Sequence, residues 1–175
     1  MLMPALVNLT AEEVAEANRL GDATYEVFKG RPGYYRNLQA SHRKGKLGEI
    51  AVEKWATSMG FEVDPVFRDI ALTAREDMVI SGVRVEVKTW DANTWDEMGR
   101  CVTPQQLPAL RRKADAIVWC SVNGSEVAIH GWSSLADVEA RPVILTGPAH
   151  HPVANHQVPI DLLRSLDGLF VSASS

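Results

Sequence analysis

Two acids and a lysine crowd into "EDMVISGVRVEVKTW", residues 76–90: Asp77, Glu86 and Lys88. Around them Val83, Val85 and Val87 alternate with Arg84, Glu86 and Lys88, the period of two expected of a strand with one buried face. Ser81-Gly82 supplies a two-residue turn. That turn pairs Ile80 with Val83, Val79 with Arg84, Met78 with Val85 and, by extension, Asp77 with Glu86. Two carboxylates directly opposite each other stand about 5 Å apart, and like charges facing across a ladder are destabilising. A bound cation removes the objection. Carboxylate oxygens suit a hard ion such as Mg²⁺, which keeps several waters and needs only two or three carboxylates and a carbonyl. Lys88 follows Glu86 on the same strand face, about 7 Å along. From there its ammonium can orient a water or stabilise developing negative charge.

The surrounding elements must hold this hairpin in place. Thr10 and Glu13 form a capping box, and Val14, Ala17, Leu20, Thr24 and Phe28 follow at helical spacing, so a helix is expected over about 11–28. Gly30 and Pro32 end it. A second helix is expected over about 43–59, closed by Gly60, with Leu47, Ala51, Val52, Trp55, Ala56 and Met59 forming one apolar arc. Glu49 falls at the edge of that arc. "FEVDPVF" reads as a strand, at a sheet edge because of Pro65. After the hairpin, Thr103 and Pro104 open a short helix that runs to Lys113. "ADAIVWCSV" reads as a buried strand, and Asn123-Gly124 as a hairpin turn into "EVAIHGW". A short helix near 134–139, a strand at "PVILT" and a helix from Pro159 complete the chain. This order describes one domain over 1–175, an α/β sandwich with the hairpin in its middle.

Composition bounds the partners. A chain of 175 residues with 46% hydrophobic and 23% charged residues has the profile of an ordinary globular protein. The apolar N-terminal run is broken by Pro4 and Asn8 and has no basic start, so no signal peptide is expected. No run is long enough for a membrane span, and Cys101 and Cys120 form no CxxC pair, so a cytoplasmic protein with reduced thiols is expected. The net charge of −4 argues against non-specific coating of nucleic acid. The charge is uneven, however: residues 29–48 hold Lys29, Arg31, Arg36, Arg43, Lys44 and Lys46 with Tyr34 and Tyr35 among them, and no acid until Glu49. Such a stretch can contact phosphates, with the rings as stacking surfaces; the plain alternative is a solvated basic linker. His150, His151 and His156 match no usual zinc spacing and are expected in a surface loop.

The Asp77, Glu86-Val87-Lys88 pattern and the element order resemble the PD-(D/E)XK nuclease superfamily, over about residues 43–130. The resemblance implies a restriction-endonuclease-like αβββαβ core: a central mixed sheet flanked by helices. It divides the chain into an N-terminal helix and basic arm (1–42), a catalytic core (43–130) and a C-terminal β/α extension (131–175). Gly45 to Glu49, "GKLGE", fits the Gly-x-x-x-Glu arrangement that many members carry on the first helix; Glu76 stands where the family name has Pro. What the resemblance implies is a Mg²⁺-dependent DNA endonuclease, with Mn²⁺ as a substitute metal. Asp77, Glu86 and the Val87 carbonyl would be ligands, Glu49 would hold a water of the metal's shell, and Lys88 would assist the chemistry. Gln105 or, preferably, Gln106 would reach water or phosphate, as a Gln does in some members. Trp90 and Trp95 are expected to border the site, whereas Trp55 and Trp119 fit core positions. The basic arm would grip DNA or support a homodimer; no membrane, nucleotide or organic cofactor is expected. The alternative is a catalytically inactive nucleic-acid-binding or assembly protein on the same fold.

Overall fold

The computed structural model describes residues 2–32 and 38–170. Helix α1 spans Ala11–Phe28 and starts with the expected box: Thr10 Oγ1 accepts from the Glu13 N–H, and Glu13 Oε1 accepts from the Thr10 N–H. Its buried residues, Ala17, Leu20, Gly21 and Thr24, form the stripe that packs on α2, Gln39–Ser58. Helix α2 begins at Gln39, about a turn before the expected start near residue 43, and lies between α1 and the sheet. Two of its faces are therefore covered. Lys46, Glu49 and Ile50 become buried alongside Ala51, Val52 and Ala56, while Met59 at its end stays exposed.

Six strands form the main sheet: β1 (Ala5–Asn8), β2 (Val63–Asp64), β3 (Met78–Ile80), β4 (Val83–Asp91), and a later pair, β6 (Ala116–Asn123) and β7 (Glu126–Ser133). Their order is β1-β7-β6-β4-β3-β2, with β4 and β6 parallel and every other pair antiparallel. The site hairpin has the expected register, Met78↔Val85, Val79↔Arg84 and Ile80↔Val83. Ser81 and Gly82 both have positive φ, 47° and 81°, as a tight two-residue hairpin turn demands.

A second sheet, ordered β5-β9-β8, contains β5 (Cys101–Val102), β8 (Val143–Thr146) and β9 (Val153–Gln157). Three short helices complete the list: α3 (Trp95–Met98), α4 (Leu107–Lys113) and α5 (Leu135–Glu139). The β6 strand is buried on both sides. Val118, Cys120 and Val122 face the α1–α2 layer, and Ile117 and Trp119 face α4 and α5 through Leu107, Leu110 and Val138. The protein is thus an α/β sandwich with a mixed sheet and helices on both faces. Among the described residues, no helix is long and apolar enough to cross a membrane.

Four local expectations change. Residues 5–8 are an edge strand paired with β7, so the N-terminal segment is part of the sheet as well as a helical arm. "FEVDPVF" keeps only two strand residues, at the sheet edge, before 3₁₀ turns at Val66–Arg68 and Ile70–Leu72. The β6–β7 turn is Gly124-Ser125, because Asn123 still pairs with Glu126 and Gly124 takes the positive φ of 62°. The helix expected from Pro159 is, among the described residues, only a 3₁₀ turn, Ile160–Leu162, with Pro159 at its N-cap. Arg164 exchanges two backbone hydrogen bonds of 2.9 Å with Trp132, so the chain there must run extended between short 3₁₀ turns.

The close contact between α2 and β4 falls at Gly48. A Cβ there would lie 1.9 Å from Thr89 Oγ1, whereas a Cβ at Gly45 would only reach Glu49 Oε1 at 3.9 Å. Gly48→Ala should destabilise the protein by about 1–3 kcal/mol through overpacking. Adding Thr89→Ala should restore part of that loss in urea unfolding. Equal destabilisation of the single and double variants would show that the contact is not the cause.

Candidate active site

The β3–β4 ladder ends at Met78↔Val85, while β4 continues to Asp91 paired only with β6. This leaves one edge of β4 open from Glu86 onward. Asp77 fills the first place along that edge: its N–H donates to the Val85 carbonyl at 3.1 Å, and its Oδ2 accepts from the Val87 N–H at 2.8 Å. Side chains from both layers converge beside it. Glu49 arrives from α2, Glu86 and Lys88 from β4, and Lys113 from the end of α4. These four, with Lys46 and Asp77, line a cleft of about 860 Å³ whose wall also includes Phe28, Phe67 and Gln106.

Glu49 and Glu86 each have an ammonium neighbour, whereas Asp77 is held by a backbone N–H. Lys46 Nζ lies 2.6 Å from Glu49 Oε2. Lys88 Nζ lies 3.4 Å from Glu86 Oε1, and Lys113 Nζ lies 3.1 Å from Glu86 Oε2. The last contact is an ion pair without a well-aligned hydrogen bond, so this buried oxygen rests on the Lys113 ammonium alone. Glu49 and Glu86 are buried, while Asp77 keeps some contact with solvent through the cleft and is enclosed on its other sides. Enclosure, then the like charges of Glu49 and Glu86, hold the Asp77 carboxyl well above the usual carboxylate range. Burial also raises Glu49, against the pull of Lys46. For Glu86 burial acts upward, but Lys88 and Lys113 outweigh it and the group lies low. Burial opposes charge on Lys46 and Lys113, yet the carboxylates prevail, and both lysines hold their protons more firmly than usual.

The structure therefore brings Glu49, Asp77, Glu86 and Lys88 into one place. It adds Lys46, which stands with the basic arm in sequence, and Lys113, which the sequence reading passed over. The signal for Lys113 was present: it lies three residues after Leu110, which lies three after Leu107, so all three share the inward side of one short helix. Among the described residues, no three His, Cys, Asp or Glu form a ready-made metal cage. The chemistry of the set still fits a hard cation, because its acceptors are carboxylate oxygens and one of them, Glu86 Oε2, is buried without an aligned hydrogen bond.

The other expected residues have different surroundings. Gln106 stands in the cleft wall, but its Oε1 accepts from the Thr103 N–H at 3.0 Å in a capping box. Trp90 and Trp95 do not line the cleft; they pack with Trp119, and Trp95 also stacks on His130 at 3.9 Å. Lys29 pairs with Glu26, and the Arg31 guanidinium lies over the Phe28 ring. Arg43 donates twice to Asp22, at 2.6 and 2.8 Å, which ties α2 to α1, and Lys44 donates to Asp91 at 2.6 Å. Arg36, Tyr34 and Tyr35 lie outside the described residues. His156 lies in β9 rather than in a loop, and its Nδ1–H donates to the Arg141 carbonyl at 2.7 Å. Compared with models of protein families, with curated proteins and with solved structures, the chain matches none. The functional reading rests on the geometry of the site.

Asp77→Asn removes a charge that enclosure and two like neighbours oppose, and its amide oxygen can still accept from the Val87 N–H. With chelator present, the variant should melt at a higher temperature than the parent near neutral pH. The raised carboxyl sets the sign. Stability from protonated Asp77 is complete below the unfolded-state pKa, about 3.9, and is lost as pH rises through the folded-state value. Melting curves from acid to neutral pH should show the advantage of the variant growing with pH. Equal melting temperatures throughout would mean that the lysines fully compensate the ionised carboxylate.

Proposed function

We propose that this chain is a divalent-metal-dependent nuclease, an endonuclease that hydrolyses phosphodiester bonds in DNA. In this reading α2, β2, β3, β4, α4 and β6 are the αβββαβ core of the PD-(D/E)XK type. One observation carries it: Glu49, Asp77 and Glu86 meet in a single cleft with Lys88 beside Glu86. A solvated strand face would turn Glu86 and Lys88 outward, but their side chains are only 8% and 17% exposed.

Asp77, Glu86, Glu49 and the Val87 carbonyl would hold Mg²⁺, with Mn²⁺ as a substitute. The ion, when bound, supplies Lewis acidity toward a phosphoryl oxygen and a more acidic water. The residues do the rest. Val87 fixes Asp77 through Oδ2, so its carboxylate meets the site already oriented. Glu86 contributes Oε2, which has no aligned hydrogen bond in the free protein. Lys88 places an ammonium where negative charge grows on the phosphoryl group. The cations that line the cleft, Lys46, Arg75, Lys88, Arg112 and Lys113, complement a polyanion although the whole chain carries −4.

A second reading has its own observation. The ammonium groups of Lys46 and Lys113 already neutralise Glu49 and Glu86, which would suit a non-catalytic binding or assembly module on the same fold. Closed circular single-stranded DNA, closed circular duplex and a four-way junction, each with and without Mg²⁺, separate the two. Cleavage of a circle establishes endonuclease action. Lys88→Ala should slow cleavage by at least about a hundredfold without lowering metal affinity, because the lysine stabilises charge and ligates nothing. Asp77→Asn should lose both cleavage and metal binding. Metal binding with no cleavage of any substrate would favour the non-catalytic module.

A further inference from the structure

Two lysines of the cleft, Lys46 and Lys113, neither hold the metal nor stabilise the reacting group in the nuclease reading. Lys46 and Glu49 pair at 2.6 Å with side chains 10% and 9% exposed. Lys113 approaches Glu86 from α4, on the opposite face of the sheet, at 3.1 Å. Lys113 reaches its acid at the open edge of β4, whereas Lys46 meets Glu49 three residues further along the same helix.

Charge counting decides what a metal meets there. Glu49, Asp77 and Glu86 carry three negative charges when ionised, and Lys46, Lys88 and Lys113 carry three positive ones, so the set is neutral. A divalent ion would bring it to +2 in a place largely shielded from water, where like charges repel strongly. It would also need oxygens that the ammoniums occupy, Glu49 Oε2 above all. Adjacent phosphates of a polynucleotide supply the missing negative charge, and a phosphate oxygen accepts from an ammonium as a carboxylate does. The ring of Phe67, 5.5 Å from Lys46 Nζ, gives that ammonium a surface to rest on when it leaves the acid.

We propose that Lys46 and Lys113 are exchangeable counter-ions: they leave Glu49 and Glu86 when metal enters and take up the phosphates of the substrate, so that metal and polynucleotide load together. The inference rests on the nuclease reading and adds a binding order to it. The two lysines hold the site closed to a metal that arrives without its anion. They are positioning residues in the free protein and phosphate ligands in the loaded one.

Calorimetric titration with Mn²⁺ tests this, with and without a short phosphorothioate oligothymidylate. The parent protein should bind Mn²⁺ at least about tenfold more tightly when the oligonucleotide is present. Lys46→Gln and Lys113→Gln should each bind Mn²⁺ at least about tenfold more tightly than the parent without it, and gain less from adding it. Lys113→Arg, which keeps the charge, should behave as the parent; a purely structural role for Lys113 would not make this distinction. If burial prevents Lys46→Gln from folding, Lys113→Gln carries the test, because its side chain is more exposed. Parent and lysine-to-glutamine variants binding Mn²⁺ equally, with no gain from the oligonucleotide, would overturn the inference and leave the nuclease reading standing. If no protein, parent or variant, binds Mn²⁺ under either condition, the nuclease reading falls and the inference with it.

Discussion

Three carboxylates cannot share a buried cleft unless matching positive charge comes with them. Removing an ion from water costs several kcal/mol even after relaxation, and an unpaired buried carboxylate takes up a proton instead. In this protein the compensation comes from within the chain and stops short of Asp77: Lys46 serves Glu49, and Lys88 and Lys113 serve Glu86. Asp77, held by a backbone N–H and no ammonium of its own, is the acid whose proton is held most firmly. The site is balanced as a set, so a change at any one of the six residues alters the charge felt by the others.

That balance depends on a short strand. Were β3 to continue past Met78, its backbone would pair with β4 and wall off the two helical layers from each other. Because the ladder stops at Met78↔Val85, α2 and α4 can send Glu49 and Lys113 around the open edge of β4 to the same point. The close approach of Gly48 to Thr89 draws α2 near enough for its neighbour Glu49 to arrive. The remainder of the sandwich, buried on both faces of β6, supplies the rigid support such a cluster needs.

The basic stretch has a smaller free charge than its composition implies. Arg43 and Lys44 meet Asp22 and Asp91, and Lys29 meets Glu26, all acids distant from them or outside the stretch in sequence. Arg43 joins the first two helices, and Lys46 turns inward to the acids. A run of cations without acids in sequence thus becomes a set of pairs in space. Exposed pairs of this kind are weak, and a stronger anion can compete for them.

The sequence by itself determined the local geometry. Alternating valines and Ser81-Gly82 set the hairpin register, Thr10 and Glu13 set the start of α1, Thr103 and Pro104 set the helical turn that leads to α4, and Pro65 kept its strand at an edge. These features follow from residues within a few positions of one another, where propensity and turn chemistry act directly. The acids of the candidate site were legible for the same reason: Asp77, Glu86 and Lys88 lie in one hairpin, and Glu49 lies at the edge of one apolar arc. Only the tertiary structure decided which cations join them. Lys113 is 27 residues from Glu86, a pairing with no local signature; Lys46 stands only three residues before Glu49 on one helix, and what the fold decided is that this pair is buried in the cleft. Trp90 and Trp95 likewise looked near the site along the chain, yet their packing against Trp119 takes them away from the cleft. The extended path at Arg164 had no local cause either, since it is set by hydrogen bonds to Trp132. Long-range pairing of charge and backbone is chosen by which layers the fold stacks together, and that choice is made by the sum of the packing rather than by any stretch of sequence.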